Sequence, residues 1–208
     1  MYVSNRMTTN PITITSKTTA RKALDIMQSK RFSNIPVVDN GNMVGIVAKE
    51  DIINQYFCGE RGCTLMEDTL VEEIMTKHFV TVKKMDYIER AVLLLKEKDI
   101  SALPVMDTDN KLVGIITRSD VFDAFADAMG SDNKGSRIYM VVPEFIGQLA
   151  KIANIVRHHG ISIEALSVFD SGIINTKQVI MKVSSKDVDQ LVIDLKLAGL
   201  DVRDVGYL

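Results

Sequence analysis

GIITRSD, Gly114 to Asp120, closes an apolar strand and opens a helix, and it sets the Thr117 hydroxyl three positions ahead of the Asp120 carboxylate. An ionised carboxylate accepts hydrogen bonds at both oxygens, so Asp120 is suited to gripping the vicinal hydroxyls of a ribose. Each such charge-assisted bond is worth about 1.5–3 kcal/mol. The unpaired N–H groups of the first helical turn suit a phosphate, and Arg118 is placed to clamp it. The same two residue types also serve simply as helix caps, which is their commonest use. Both readings stand at this point.

Working outward, GIVAKED from Gly45 to Asp51 preserves the glycine, the apolar pair and the final aspartate, with Ala48 where Thr117 stands. Met7 matches Met75, Ala23 matches Ala91 and IPVVD (Ile35 to Asp39) matches LPVMD (Leu103 to Asp107), each 68 positions apart. The turn DNGNM is one residue shorter than DTDNKL, so Gly45 and Gly114 lie 69 apart. One unit therefore occurs twice. The first copy predicts a strand Ile12–Thr15, a helix capped by Thr18 or Thr19 and carrying Ala23, Leu24, Ile26 and Met27, and a buried strand Ile35–Val38. An Asn40-Gly41 hairpin turn, a strand Met43–Val47 and a helix from Glu50 to Phe57 follow. The second copy predicts a strand Val80–Lys83, a helix Tyr87–Lys98, strands Leu103–Met106 and Leu112–Thr117, and a helix Ser119–Ala128. Neither copy buries much apolar area alone, so the two are expected to pack as one module.

SALPVMD with GIITRSD, and NIPVVD with GIVAKED, resemble the CBS (cystathionine β-synthase) domain, which occurs in tandem pairs that bind adenine nucleotides; the likeness covers about residues 4 to 128. It implies a nucleotide-binding set of Thr81, Ser101, Ala102, Pro104, Thr117, Arg118 and Asp120 in the second repeat. In the first repeat the set is Thr13, Asn34, Ile35, Lys49 and Asp51. The backbone around Ser101 and Ala102 would meet the adenine edge, and Thr81 would line the same pocket. The ligand so implied is AMP, ADP or ATP. In the first copy Ala48 offers no hydroxyl, and Lys49 reaches a phosphate only as a point charge.

GSDNKGS, Gly130 to Ser136, reads as an interdomain linker. Beyond it the order becomes βαββαβ: strand Ile138–Val142, a helix around Gly147–His159 with Leu149, Ile152, Ala153 and Val156 at helical spacing, and strands Ile161–Val168 and Gln178–Val183 about a turn at Asp170 to Gly172. A helix capped by Ser184 or Ser185 and a strand Asp201–Val205 complete it. This order, with VPEFIGQLAKI (Val142 to Ile152), resembles an ACT domain, a ferredoxin-like amino-acid-sensing module. Family members usually carry aspartate at the position of Glu144 and proline at that of Ile146. The resemblance implies an amino-acid site at Glu144, Ile146 and Gly147, with dimerisation as the alternative role. Two CBS copies and one ACT domain together resemble the acetoin-utilisation protein B family. The expected fold is therefore α/β, with CBS repeats over 1–62 and 63–129, a linker over 130–136 and an ACT-like domain over 137–208.

A 46% hydrophobic and 25% charged composition is that of an ordinary globular protein, and a net charge of -2 with no dense basic run argues against nucleic acid as a partner. No apolar run is long enough to span a bilayer, so a soluble, cytoplasmic protein is expected. Cys58 and Cys63 read as reduced thiols in a connecting loop, with a small redox switch as the other reading. His158-His159 fits the last turn of a helix, and His78 reads as a solvated loop residue that borders the pocket at most. No phosphate loop, HExxH or nucleophile–base motif is present, so neither catalysis nor a metal is expected. The sequence reading is thus a regulatory homodimer that senses an adenine nucleotide, with an amino acid or an effector protein acting on the ACT domain.

Overall fold

Residues 1–57, 68–131 and 134–207 are described by a computed structural model, and the chain divides into two compact units, Met1–Phe122 and Asp123–Leu208. Cys58 and Cys63 lie outside the described residues. In the first unit, repeat one comprises β1 (Thr8–Thr9), α1 (Ala20–Lys30), β2 (Asn34–Asp39), β3 (Asn42–Ala48) and α2 (Lys49–Phe57). Repeat two comprises α3 (Val71–Ile74), β4 (Val82–Lys83), α4 (Ile88–Glu97), β5 (Ala102–Met106), β6 (Leu112–Thr117) and α5 (Arg118–Ala128). The division between the units falls within α5.

Local chemistry explains these elements. Thr19 caps α1 by accepting from the Lys22 N–H at 3.3 Å, and the helix buries Ala20, Ala23, Leu24 and Met27. Asn40 and Gly41, at φ 50° and 76°, form the two-residue turn that joins β2 to β3, whose ladder shifts register between Val37 and Val38. The expected strand at Ile12–Thr15 is replaced by a single parallel bridge from Ile14 to Val37. The ladder ends there because the chain turns at Thr15, whose carbonyl accepts from Thr18, while the Ser16 N–H goes to the Asp39 carboxylate at 3.1 Å. Likewise the expected strand Val80–Lys83 shortens to Val82–Lys83.

The two repeats complete each other. Val3 is fully buried in the core of repeat two with Val82, Ala91, Leu95, Leu103, Val105 and Ile116. Its counterpart Val71 is fully buried in the core of repeat one with Ala23, Met27, Ile35, Val37, Val47 and Ile52. The strands follow suit: Thr8 and Thr9 pair with Ile115 and Gly114, and Thr76 bridges Ile46 in the other repeat. Two glycines permit the close approach. A Cβ on Gly114 would stand 2.6 Å from the Met7 sulfur and 3.0 Å from the Thr8 carbonyl, and one on Gly45 would stand 2.5 Å from the Met75 sulfur and 3.2 Å from the Thr76 carbonyl. Packing as one module is achieved by this reciprocal exchange.

The second unit is a ferredoxin-like βαββαβ module. Strands β7 (Ser136–Pro143), β8 (Ile163–Asp170), β9 (Thr176–Val183) and β10 (Asp201–Tyr207) form an antiparallel sheet in the order β10-β7-β9-β8, with helices α6 (Gln148–His158) and α7 (Asp189–Leu197). Ile138, Met140, Val179 and Met181 from the sheet meet Ile152, Val156, Leu191 and Leu195 from the helices. Two expectations are corrected. The buried stripe of α6 is Gln148, Ile152 and Val156, while Leu149 and Ala153 lie on an exposed neighbouring face. The last helix begins at Asp189 without a side-chain cap, because Ser184 Oγ accepts from the Ser162 N–H and Ser185 Oγ donates to the Asp187 carbonyl. Lys182, 2% exposed, donates its ammonium to the Gly130 carbonyl, which meets the hydrogen-bonding need of a buried cation.

Candidate functional site: a cleft between the two repeats

A cleft of about 640 Å³ lies within the first unit, in the size range of ligand sites. Repeat one lines it with Asn34 at the start of β2, Ile46 and Ala48 on β3, and Glu50 and Asp51 in the first turn of α2. The segment before β4 adds Thr76, His78, Phe79 and Val80. Repeat two contributes Lys98 to Ala102, Pro104 and Arg118. The exchange described above builds this place, because the Thr76–Ile46 bridge carries the segment around His78 against repeat one.

Polar groups at the cleft are held in order. Asp51 Oδ2 accepts from the Ala48 N–H at 2.8 Å, which caps α2, and among the described residues nothing bonds Oδ1. Asn34 Nδ2 donates to Ser101 Oγ at 2.9 Å across the two repeats. Arg118 donates from Nη2 to Asp99 Oδ1 at 2.6 Å and from Nε to the Ile100 carbonyl at 2.9 Å. These bonds use two of the five N–H donors of its guanidinium, and the ion pair with Asp99 is exposed to solvent. His78 is exposed.

Of the residues singled out in the sequence, Asn34, Asp51, Ser101, Ala102, Pro104 and Arg118 come together at this cleft. Thr13, Ile35, Lys49, Thr81, Thr117 and Asp120 are not among its lining. Asp120 Oδ2 accepts from both the Thr117 N–H at 2.7 Å and the Thr117 hydroxyl at 2.8 Å, so the pair caps α5. Ile35 is fully buried in the core of repeat one, leaving only its backbone to meet a ligand, and Thr13 is exposed on an irregular stretch. Sequence reasoning passed over Glu50, Thr76, Phe79, Lys98 and Asp99. Lys98 and Asp99 sit just ahead of SALPVMD and were within reach of that motif, whereas Thr76 and Phe79 gave no signal of which repeat they join.

In the second unit Glu144, Ile146 and Gly147 fall at the turn into α6. Gly147 takes φ 89°, a left-handed conformation that favours glycine, and Ile146 is fully exposed. Glu144 lies 3.4 Å from the Lys177 ammonium, which also pairs with Asp170 at 2.7 Å. This pairing holds the Asp170 carboxyl below its ordinary range and raises the lysine. His158 Nδ1 lies 2.7 Å from the Asn154 carbonyl, and His159 Nε2 lies 2.9 Å from Asp194 on α7. Among the described residues no group of three or more potential ligands is placed to hold a metal, and no helix is long and apolar enough to cross a membrane.

The CBS domain model matches residues 3–57 and 71–127. The chain belongs to the CBS-domain family. Both matched stretches precede β7. A homoserine O-acetyltransferase of Methanohalobium evestigatum is 36% identical over 121 residues, covering 58% of this chain but only 23% of that enzyme. The chain thus spans about a quarter of the length of the first curated relatives it matches. Among solved structures, the CBS pair of protein MJ0100 in complex with 5′-methylthioadenosine and S-adenosyl-L-methionine is 26% identical with a TM-score of 0.55, over 61% of this chain and 97% of that one. CBSX2 in complex with AMP is 29% identical with a TM-score of 0.52, over 61% and 96%. A putative acetoin utilization protein of Vibrio cholerae is 25% identical with a TM-score of 0.55, over 64% and 95%.

Proposed function

We propose that this CBS pair is a non-catalytic sensor whose cleft binds an adenosyl compound. The observation that carries this reading is the inter-repeat cleft, where Asp51 presents an unengaged carboxylate oxygen beside the Asn34–Ser101 pair. A ribose is bound through its hydroxyls by Asp51, and the adenine edge lies along Ser101, Ala102 and Pro104. Relatives whose structures hold 5′-methylthioadenosine, S-adenosyl-L-methionine or AMP support the ligand class. A second position, at Thr117 and Asp120 with Lys49, is related to the first by the internal repeat, with Thr13, Ile35 and Thr81 as the further residues the family resemblance assigns to the binding set. Ligand binding changes the relation of the two repeats, because an effector shifts an equilibrium only through differential affinity for its two states.

The ferredoxin-like unit is read as an ACT domain, with an amino acid at Glu144 and Gly147 or a second copy of the chain as its partner. Likeness to the Vibrio cholerae structure supports a place in acetoin or related carbon metabolism, with the output passed to an effector protein. The alternative is a homodimerising scaffold with vestigial sites, favoured by the exposed Phe145, Ile146, Ile173 and Ile174 of the second unit. Calorimetric titration with AMP, ADP, ATP and S-adenosylmethionine tests the choice. Saturable binding of any of the four that Asp51→Ala or Asp120→Ala weakens supports the sensor; no binding by any of the four, in a protein that light scattering finds dimeric, leaves the scaffold.

A further inference from the structure

The two positions related by the internal repeat differ in net charge, because Glu50 is matched by Ser119 and Asp99 by Arg31. At the cleft, Glu50, Asp51 and Asp99 face Lys98 and Arg118, and the arginine is already paired with Asp99 at 2.6 Å. Their counterparts in the internal repeat are Ser119 for Glu50, Asp120 for Asp51, Arg31 for Asp99, Lys30 for Lys98 and Lys49 for Arg118. The backbone bears out this equivalence. Lys49 N–H donates to the Ser33 carbonyl at 2.8 Å as Arg118 N–H donates to that of Ser101 at 3.1 Å, and Arg31 and Asp99 both adopt left-handed φ, 60° and 49°. One position therefore carries an acidic excess. The other carries three cations, none with an ion-pair partner among the described residues, against a single carboxylate.

We propose that the two positions divide adenosyl ligands by charge. The cleft beside Asp51 takes an adenosine without a phosphate, bearing a thioether or sulfonium at its 5′ carbon, and the position beside Asp120 takes a phosphorylated adenosine. The inference rests on the adenosyl reading above. A phosphate at the first turn of α2 would meet the Glu50 carboxylate and compete with Asp99 for Arg118, so repulsion offsets the attraction of the helix N-terminus. At the first turn of α5, Ser119 replaces that carboxylate, and Lys49 is the cation equivalent to Arg118.

The test is calorimetric titration of the full chain and three variants with 5′-methylthioadenosine and with AMP. Asp51→Ala should weaken methylthioadenosine binding about ten-fold or more and spare AMP, and Asp120→Ala should do the reverse. Glu50→Lys changes an exposed side chain and leaves the cores untouched; combined with Asp120→Ala it should raise AMP affinity at the cleft about ten-fold. AMP binding that follows Asp51 instead of Asp120, or that ignores the Glu50 reversal, overturns the division while leaving the adenosyl reading in place. If neither compound binds the wild-type chain, the adenosyl reading fails and the division fails with it.

Discussion

Asp51 and Asp120 hold equivalent places in the two repeats, yet their oxygens are used differently. Asp120 takes two bonds from Thr117 on one oxygen, whereas Asp51 takes one from Ala48 and lines the cleft. The fuller motif is thus the more self-satisfied one, and its hydroxyl serves the helix cap. The absence of that hydroxyl in repeat one does not keep Asp51 from lining the cleft. It leaves the cap to a backbone N–H alone, and the open cleft accompanies the reduced motif. A motif read residue by residue describes both what a ligand needs and what a helix terminus needs, and the surrounding elements decide which is served.

The likeness of the repeats is broken most forcefully at their exchanged valines. Val3→Ala and Val71→Ala each remove two methyl groups from a fully buried position and should each lower stability by about 2–3 kcal/mol, measured by urea denaturation. If each repeat were self-contained, Val3→Ala would cost almost nothing. A smaller effect is expected at the motif: Thr117→Ala makes repeat two resemble repeat one and should cost about 1 kcal/mol by weakening the α5 cap, while Ala48→Thr should be close to neutral or stabilising. The smallest effect sharpens a difference at the ends of β2 and β5. Asp39 is held below the ordinary carboxylate range by the Ser16 N–H and, secondarily, by Lys17. Its contribution is therefore present above the unfolded carboxylate pKa and is lost as pH falls through the lower folded value. The urea midpoints of wild type and Asp39→Asn should accordingly differ at pH 7 and converge in strong acid.

Much of this architecture is legible in the residues. The 68-residue offset, the Asn40-Gly41 turn and the apolar strands on either side of it place β2, β3, β5 and β6 to within a residue or two, because period and turn chemistry are local properties. The exchange is not local. Val3 and Val71 stand in short stretches of mixed character, MYVSN and TLVEE, and nothing in either says whose core it enters. The site inherits the same blind spot: Asn34, Asp51 and Ser101 lie in recognisable motifs, but Thr76 and Phe79 reach the cleft only through the exchanged segment. In the second unit the element order is legible, whereas the choice between the Leu149–Ala153 face and the Ile152–Val156 face of α6 depends on the sheet beneath.

Whether adenosine binds between the repeats at Asp51 is decided by a crystal structure of the chain grown with 5′-methylthioadenosine. Density is expected in the cleft with a ribose hydroxyl within about 3.2 Å of the Asp51 carboxylate and the adenine edge along Ser101 and Ala102. Ligand bound elsewhere on the first unit, with the cleft filled only by water, would contradict this placement.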